Sequence, residues 1–321
     1  MRTLLFPALL VAASTLNAAD AELLSTSKIY ASKQHSAFTD LTRFRDRFFC
    51  VFRESEAHVG GNGQIRVLAS ADGEKWESAA VLTETGIDLR DPKLSHTPDG
   101  QLMLTIGGSV YEGKKLMARQ PRVSFSKDGE TWTVPHRVLA EGDWLWRVTW
   151  HKGVAYGTSY RTDTPDGQLL LYSSKDGKEW QKVTDLKVPG QPNETTLRFT
   201  KDGEMMALVR REAGSRKAWF GRSSAPYTDW KWLELKHQIG GPDFIVLPDG
   251  TMWAGGRQYT GGVSTVLARL TTESYDPVVK LPSGGDTSYP GFVWHNDILW
   301  MSYYSSHEKA SNIYLAKFKL K

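Results

Sequence analysis

The sequence predicts a single all-β domain, a six-bladed β-propeller of four-stranded antiparallel blades. Three observations predict it. A turn motif recurs at a period near 50 residues along a chain of 321. A second kind of Asp-Gly turn falls between the copies and joins short apolar runs. After the first 19 residues, no stretch holds a helical period.

Taken from the start, Arg2 supplies a short positive opening. Leu4 to Ala13 is apolar except for Pro7, and Ala18-Ala19 offers small residues for cleavage. This predicts a secretory signal peptide over residues 1–19, too short to cross a bilayer. The mature chain, residues 20–321, is then secreted or periplasmic. Nothing after it is apolar enough to predict a membrane span.

The recurring motif comes next. It reads Ser70-Ala71-Asp72-Gly73-Glu74-Lys75-Trp76, then Ser126 to Trp132, then Ser174 to Trp180, each Ser-x-Asp-Gly-x-x-Trp. A degenerate fourth copy runs from Ser223 to Trp230, and a fifth lies near Ser274 to Pro277 without its Trp. The chemistry is that of a hairpin turn. Asp accepts backbone N–H bonds from just ahead, Gly supplies positive φ, and Trp folds back between sheets. Pro98-Asp99-Gly100, Lys201-Asp202-Gly203 and Pro248-Asp249-Gly250 form the second set of turns. A period near 50 over about 300 residues gives six units, and paired hairpins give four strands in each.

Composition narrows the function. Forty Lys and Arg against 36 Asp and Glu leave a net charge of +4, too small to point to nucleic acid. The one cysteine, Cys50, sits in the apolar run Phe48 to Phe52, which predicts a buried, inert thiol. No cofactor and no metal are called for.

The three motif copies resemble the Asp-boxes of the sialidase superfamily, in a form one residue shorter than usual. The resemblance covers most of the mature chain. It implies the propeller fold and a site with a Tyr nucleophile, a Glu base, an acid/base residue and an arginine clamp. Glu194, followed 16 residues later across an Asp-Gly turn by Arg210, resembles the family's Glu-hairpin-Arg segment. Arg257 resembles the last arginine, and Asp286-Thr287-Ser288-Tyr289-Pro290-Gly291 the tyrosine segment. The resemblance therefore makes Tyr289 the nucleophile and Glu194 its base.

Two departures mark this chain. Asp40 stands near the position of the family's first arginine. The loop before the first motif, Arg53 to Asn62, has no Asp, so His58 or Glu54 is left as acid/base. Arg53, Arg210 and Arg257 are the expected anion-binding residues. Asp40 is expected to accept bonds from sugar hydroxyls or to orient Arg53 or Arg257. Arg90 and Asp91, before Pro92, form a second charged element that also resembles the Arg-Asp-Pro of five-bladed glycosidases; a blade-to-blade ion pair is its alternative. Trp144, Trp146 and Arg147 offer a sugar-stacking platform or packing between blades.

The expectation is a secreted, sialidase-like glycoside hydrolase for terminal acidic sugars of a glycan or oligosaccharide. Three alternatives stay open: a lyase or hydrolase for uronic acids, an enzyme for neutral sugars, and a glycan-binding propeller without catalysis.

Overall fold

Each copy of the turn motif closes through the same hydrogen bonds. The computed structural model describes residues 20–321, so the signal-peptide reading lies outside the described residues. The Asp72, Asp128 and Asp176 carboxylates each accept the backbone N–H groups two and three residues on, at 2.7–2.9 Å. The motif Ser hydroxyl accepts the Gly N–H at 2.7–2.8 Å. The Trp Nε1–H returns to the Gly carbonyl at 3.0–3.1 Å. The Gly is also an inter-blade contact: a Cβ on Gly129 would meet the Phe49 ring at 2.3 Å, and one on Gly177 the Met103 sulfur at 2.9 Å.

The strands run in chain order. β1 is Ala21–Tyr30. The first blade holds β2 (His35–Phe44), β3 (Arg47–Ser55), β4 (Gln64–Ser70) and β5 (Glu77–Leu82). The second holds β6 (Asp88–His96), β7 (Leu102–Glu112), β8 (Lys115–Ser126) and β9 (His136–Arg137). The third holds β10 (Leu145–His151), β11 (Val154–Arg161), β12 (Gln168–Ser174) and β13 (Trp180–Asp185). The fourth holds β14 (Pro192–Phe199), β15 (Met205–Arg211), β16 (Trp219–Ser223) and β17 (Lys231–Glu234). The fifth holds β18 (Ile239–Val246), β19 (Met252–Gln258), β20 (Ser264–Leu270) and β21 (Tyr275–Lys280). The sixth joins β22 (Thr287–His295), β23 (Ile298–Ser305) and β24 (Asn312–Leu320) to β1, and so closes the ring. Among the described residues there is no helix. The three full motifs are the β4–β5, β8–β9 and β12–β13 turns. The degenerate fourth copy is the β16–β17 turn, whereas Ser274 to Pro277 runs from the end of the β20–β21 turn into β21, and that turn is built on Thr271. The sixth blade needs none, because its third and fourth strands are the two ends of the chain.

Antiparallel order puts both sets of Asp-Gly turns on one face. The starts of the inner strands and the ends of the second strands face the other way. One irregularity repeats in all six blades. Between Ala37 and Asp40, Arg90 and Lys93, Leu145 and Val148, Pro192 and Thr195, Gly240 and Asp243, and Ser288 and Gly291, the inner strand takes three steps while its partner takes two. Each is a β-bulge at the same height, and a bulge re-aims the side chains beside it. Four bulges carry a left-handed residue: Phe38 (φ 67°), Asp91 (φ 50°), Gly241 (φ 57°) and Tyr289 (φ 49°).

The motif glycines give a stability test. Gly129→Ala adds left-handed strain to a collision with Phe49 and is expected to cost about 2–4 kcal/mol in urea unfolding. Gly100→Ala, at φ +77° with nothing within 4 Å of its Cβ, should cost only about 1–2 kcal/mol. Equal losses would show that the motif glycine does not brace neighbouring blades.

Candidate active site

The bulges of the fourth, fifth and sixth blades converge at the axis. Tyr289 Oη donates to Glu194 Oε1 at 2.5 Å. Arg210 Nη1 lies 2.5 Å from Glu194 Oε2 and donates to Tyr289 Oη at 3.2 Å. The Gly241 N–H donates to Glu194 Oε2 at 3.1 Å. Gly241 also makes room: a Cβ there would meet Ser288 Oγ at 2.8 Å and the Tyr289 ring at 3.0 Å. Tyr289 is 8% exposed. Its ring is walled by Phe38, Trp146 and Tyr304, at centroid separations of 5.1, 5.6 and 6.0 Å. Burial pushes its phenol well above the ordinary range; the Glu194 charge adds to this and Arg210 opposes it.

Asp91 faces the same space from the second blade. It is partly exposed, and no hydrogen bond holds its carboxyl. Burial raises its pKa. The charges of Arg90, Lys93 and Arg53 pull it down, and that of Glu194 pushes it up. Tyr160 and Tyr289 also feel the Asp91 charge.

Arg257 is half-buried. It donates to the Thr287 carbonyl at 2.6 Å, to Tyr304 Oη at 3.2 Å and to Asp286 Oδ1 at 3.3 Å. His58 Nδ1 and His35 Nε2 both contact Asp286 Oδ2, at 2.6 and 2.9 Å. Arg90 donates to the His58 carbonyl at 2.9 Å and to Asp88 at 3.2 Å. The ion-pair alternative for Arg90 is therefore met within one strand, not between blades.

Four expected placements are corrected. Arg53 is fully buried and spent: Asp88 takes it through two bonds of 2.7 and 3.0 Å, and the Ala57 and Gly60 carbonyls take the rest. A guanidinium so enclosed has nothing left to offer a substrate. Asp40 pairs with neither Arg53 nor Arg257. The β2 bulge turns it toward the opposite face, where it binds Arg147 Nη1 and the Leu94 N–H, each at 2.7 Å. With Arg147, Arg198 and Asp243 it lines a separate cavity of about 260 Å³. Replacing Asp40 by Arg would set two buried guanidiniums together and create no clamp. Glu54 is occupied by Tyr30, Gln64 and Arg66. Trp144 and Trp146 pack, at 5% and 1% exposure, and form no platform. A concavity of about 500 Å³ between the second and third blades opens among the Asp-Gly turns and holds no such acid–base pair. Sequence reading passed over Asp286, His35 and Lys93. Asp286 was visible inside the tyrosine segment, but His35, 23 residues before His58, belongs to no ligand spacing.

The fold is a six-bladed propeller of the sialidase-like class. The chain belongs to the BNR repeat-like domain family, whose pattern it matches over residues 46–301. No curated protein matches it in sequence. Three solved structures share its fold. A protein of unknown function from Dyadobacter fermentans superposes with a TM-score of 0.85 at 18% identity, over 94% of this chain and 100% of that one. Trypanosoma rangeli sialidase with sialic acid gives 0.73 at 12%, over 94% of this chain but 59% of the sialidase. The α-L-arabinofuranosidase of Fusarium graminearum with arabinobiose gives 0.72 at 14%, over 92% and 97%.

The Arg53–Asp88 pair yields a prediction. Asp88→Asn leaves a buried guanidinium without its counter-charge and should destabilise the fold by about 3–5 kcal/mol in chemical unfolding. Unchanged stability with altered sugar binding would return Arg53 to a substrate role.

Proposed function

We propose that this chain is an exported, exo-acting glycoside hydrolase that cleaves a terminal neutral sugar from a glycan. Tyr289 is its nucleophile, Glu194 the base and Asp91 the acid/base. The observation that carries the reading is the direct Tyr289–Glu194 hydrogen bond braced by Arg210. A phenol raised by burial attacks only if its proton has a destination, and Glu194 is in contact with it.

Tyr289 Oη attacks the anomeric carbon, its proton passes to Glu194, and Asp91 protonates the departing glycosidic oxygen. The products of this half are a tyrosyl glycoside, a free aglycone and an ionised Asp91. Water then attacks the same carbon and gives its proton to Asp91. The phenolate leaves and recovers its proton from Glu194. Asp91 takes the place first expected of His58, because its carboxyl is unpaired and burial raises its pKa, the direction a general acid requires.

The preference for a neutral sugar rests on charge. Arg119, beside Tyr160, is held by the Gly142 and Tyr160 carbonyls, and the four other arginines near the acid–base group already have carboxylates: Arg53 and Arg90 share Asp88, Arg210 has Glu194 and Glu212, and Arg257 has Asp286. With Asp91 these make five carboxylates against five arginines, so no surplus positive charge awaits an anion. A uronate lyase would meet the same shortage. The arabinose-cleaving neighbour is a precedent on this fold.

Tyr289→Phe should lower kcat by about 10³-fold or more while the chain keeps its fold by circular dichroism. Asp91→Asn should cost about 10²–10⁴-fold on natural glycosides and far less on aryl glycosides with good leaving groups, which need no protonation. The acid form of Asp91 is the active one, and its pKa is raised. Activity should therefore persist above the ordinary carboxylate range and fall as pH rises through the Asp91 pKa, and Asp91→Asn should remove that limb. A limb that survives in this variant would exclude Asp91 as the acid.

A panel of aryl glycosides tests the substrate. Release from neutral furanosides or pyranosides, with sialosides and uronides slower, is the expected result. Rapid sialoside cleavage would overturn the charge argument. Tight glycan binding without release would make the chain a non-catalytic propeller.

A further inference from the structure

The mechanism above leaves His35, His58 and Asp286 unused. They come from separate elements: the start of β2, the loop between β3 and β4, and the turn before β22. Yet His35 Nε2 and His58 Nδ1 both contact Asp286 Oδ2, and a ligand atom from each of the three residues lies within 4.8 Å of the other two. We propose that these three atoms bind one divalent cation of the zinc type, beside the active site and independently of its acid–base pair.

The donor set is the first argument. Two imidazole nitrogens and one carboxylate oxygen suit zinc, and three protein ligands with an open fourth position are the pattern of accessible zinc sites. Position is the second. Asp286 is held from behind: Tyr304 Oη donates to Oδ1 at 2.8 Å, Arg257 approaches it at 3.3 Å, and Ser306 Oγ accepts the Asp286 N–H at 2.8 Å. Oδ2 is therefore the oxygen left to face the imidazoles. Outer partners that fix a ligating carboxylate in this way strengthen metal sites.

The rings are placed by packing. Phe38 meets His58 edge-on at 5.2 Å and His35 at 6.4 Å, and the two imidazoles lie 5.2 Å apart. His35 Nδ1 is buried without a partner, so the only polar contact of that ring is the one at the convergence point. Tetrahedral zinc asks for ligand atoms about 3.3 Å apart. The present 2.6 and 2.9 Å contacts must open by about half an ångström, and His58, on an exposed loop with a side chain 47% accessible, is the member that moves. That exposed side also leaves the fourth position open to water or to a sugar hydroxyl.

The test is direct titration of the tag-free chain with Zn²⁺ by calorimetry, and with Co²⁺ by visible absorption. The expected result is one ion per chain, with the intense bands of four-coordinate Co²⁺. His58→Ala and His35→Gln should each abolish stoichiometric binding, and Tyr304→Phe should weaken it by about 10–100-fold. Affinity should fall with acid, because both imidazoles must be unprotonated. Tyr289→Phe should bind the ion as the native chain does, which separates this proposal from the hydrolase reading. Failure of the native chain to bind stoichiometrically, or equal binding by His58→Ala, would show that the cluster is a hydrogen-bonded group only.

Discussion

The site depends on one constraint, the extra residue that every inner strand carries at the same height. In a regular strand, successive side chains alternate between faces, so an inner strand shows the axis only every second residue. The bulge breaks that alternation in all six blades. Asp91, Glu194 and Tyr289 stand at or beside it and reach the space above the axis. Asp40, Lys93 and Asp243 follow it and turn below. The ring thus separates two polar environments on one axis, with the aromatic side chains of Phe38, Trp146 and Tyr289 between them.

The lower environment explains how the upper one stays rigid. Arg147 lies between Asp40 and Asp243, at 2.7 and 3.3 Å, and Arg198 reaches Asp243 at 2.8 Å. Lys93 donates to the Thr39 and Pro92 carbonyls and sits 5.0 Å from the Trp146 ring and 5.6 Å from the Tyr289 ring. Burial brings its pKa down to about 8. Buried charges of this kind add little net stability against apolar packing, but breaking one partner is costly. They tie the first, second, third, fourth and fifth blades together directly beneath Tyr289 of the sixth.

The sequence carried the fold plainly because its signal is local. An Asp-Gly turn and its Trp lie within seven residues, so the repeat needs no knowledge of what packs against it. The meeting of Glu194 with Tyr289 was legible only through the spacing of a known pattern, since nothing within either segment points at the other. Charge pairing was not legible at all. Arg53 looked like a free clamp because Asp88 stands 35 residues away, and Asp40 looked like a substrate ligand because a bulge that inverts its facing leaves no mark in composition. Asp91 was visible in its Arg-Asp-Pro element, but its freedom from partners becomes evident only once its neighbours are seen to be bound to each other.

Gly241 shows how far such a site depends on a residue without functional groups. Glu194 belongs to the fourth blade and Tyr289 to the sixth, so the fifth must stand aside for them to touch. It does so with a glycine at its own bulge, in the left-handed conformation that Tyr289 also adopts at the matching position. At Gly241 the missing Cβ admits the tyrosine ring, and the N–H left exposed donates to the Glu194 oxygen that Arg210 also holds. The second Glu194 oxygen is thereby saturated, and Oε1 is left for the phenol alone. A left-handed tyrosine costs on the order of 1–2 kcal/mol. That cost is tolerated because the bulge over-determines it, with the Thr39 hydroxyl bonded to the Tyr289 carbonyl at 2.6 Å and the ring enclosed on three sides. Preorganisation here is the product of three adjacent bulges, of which the middle one contributes space and a single N–H.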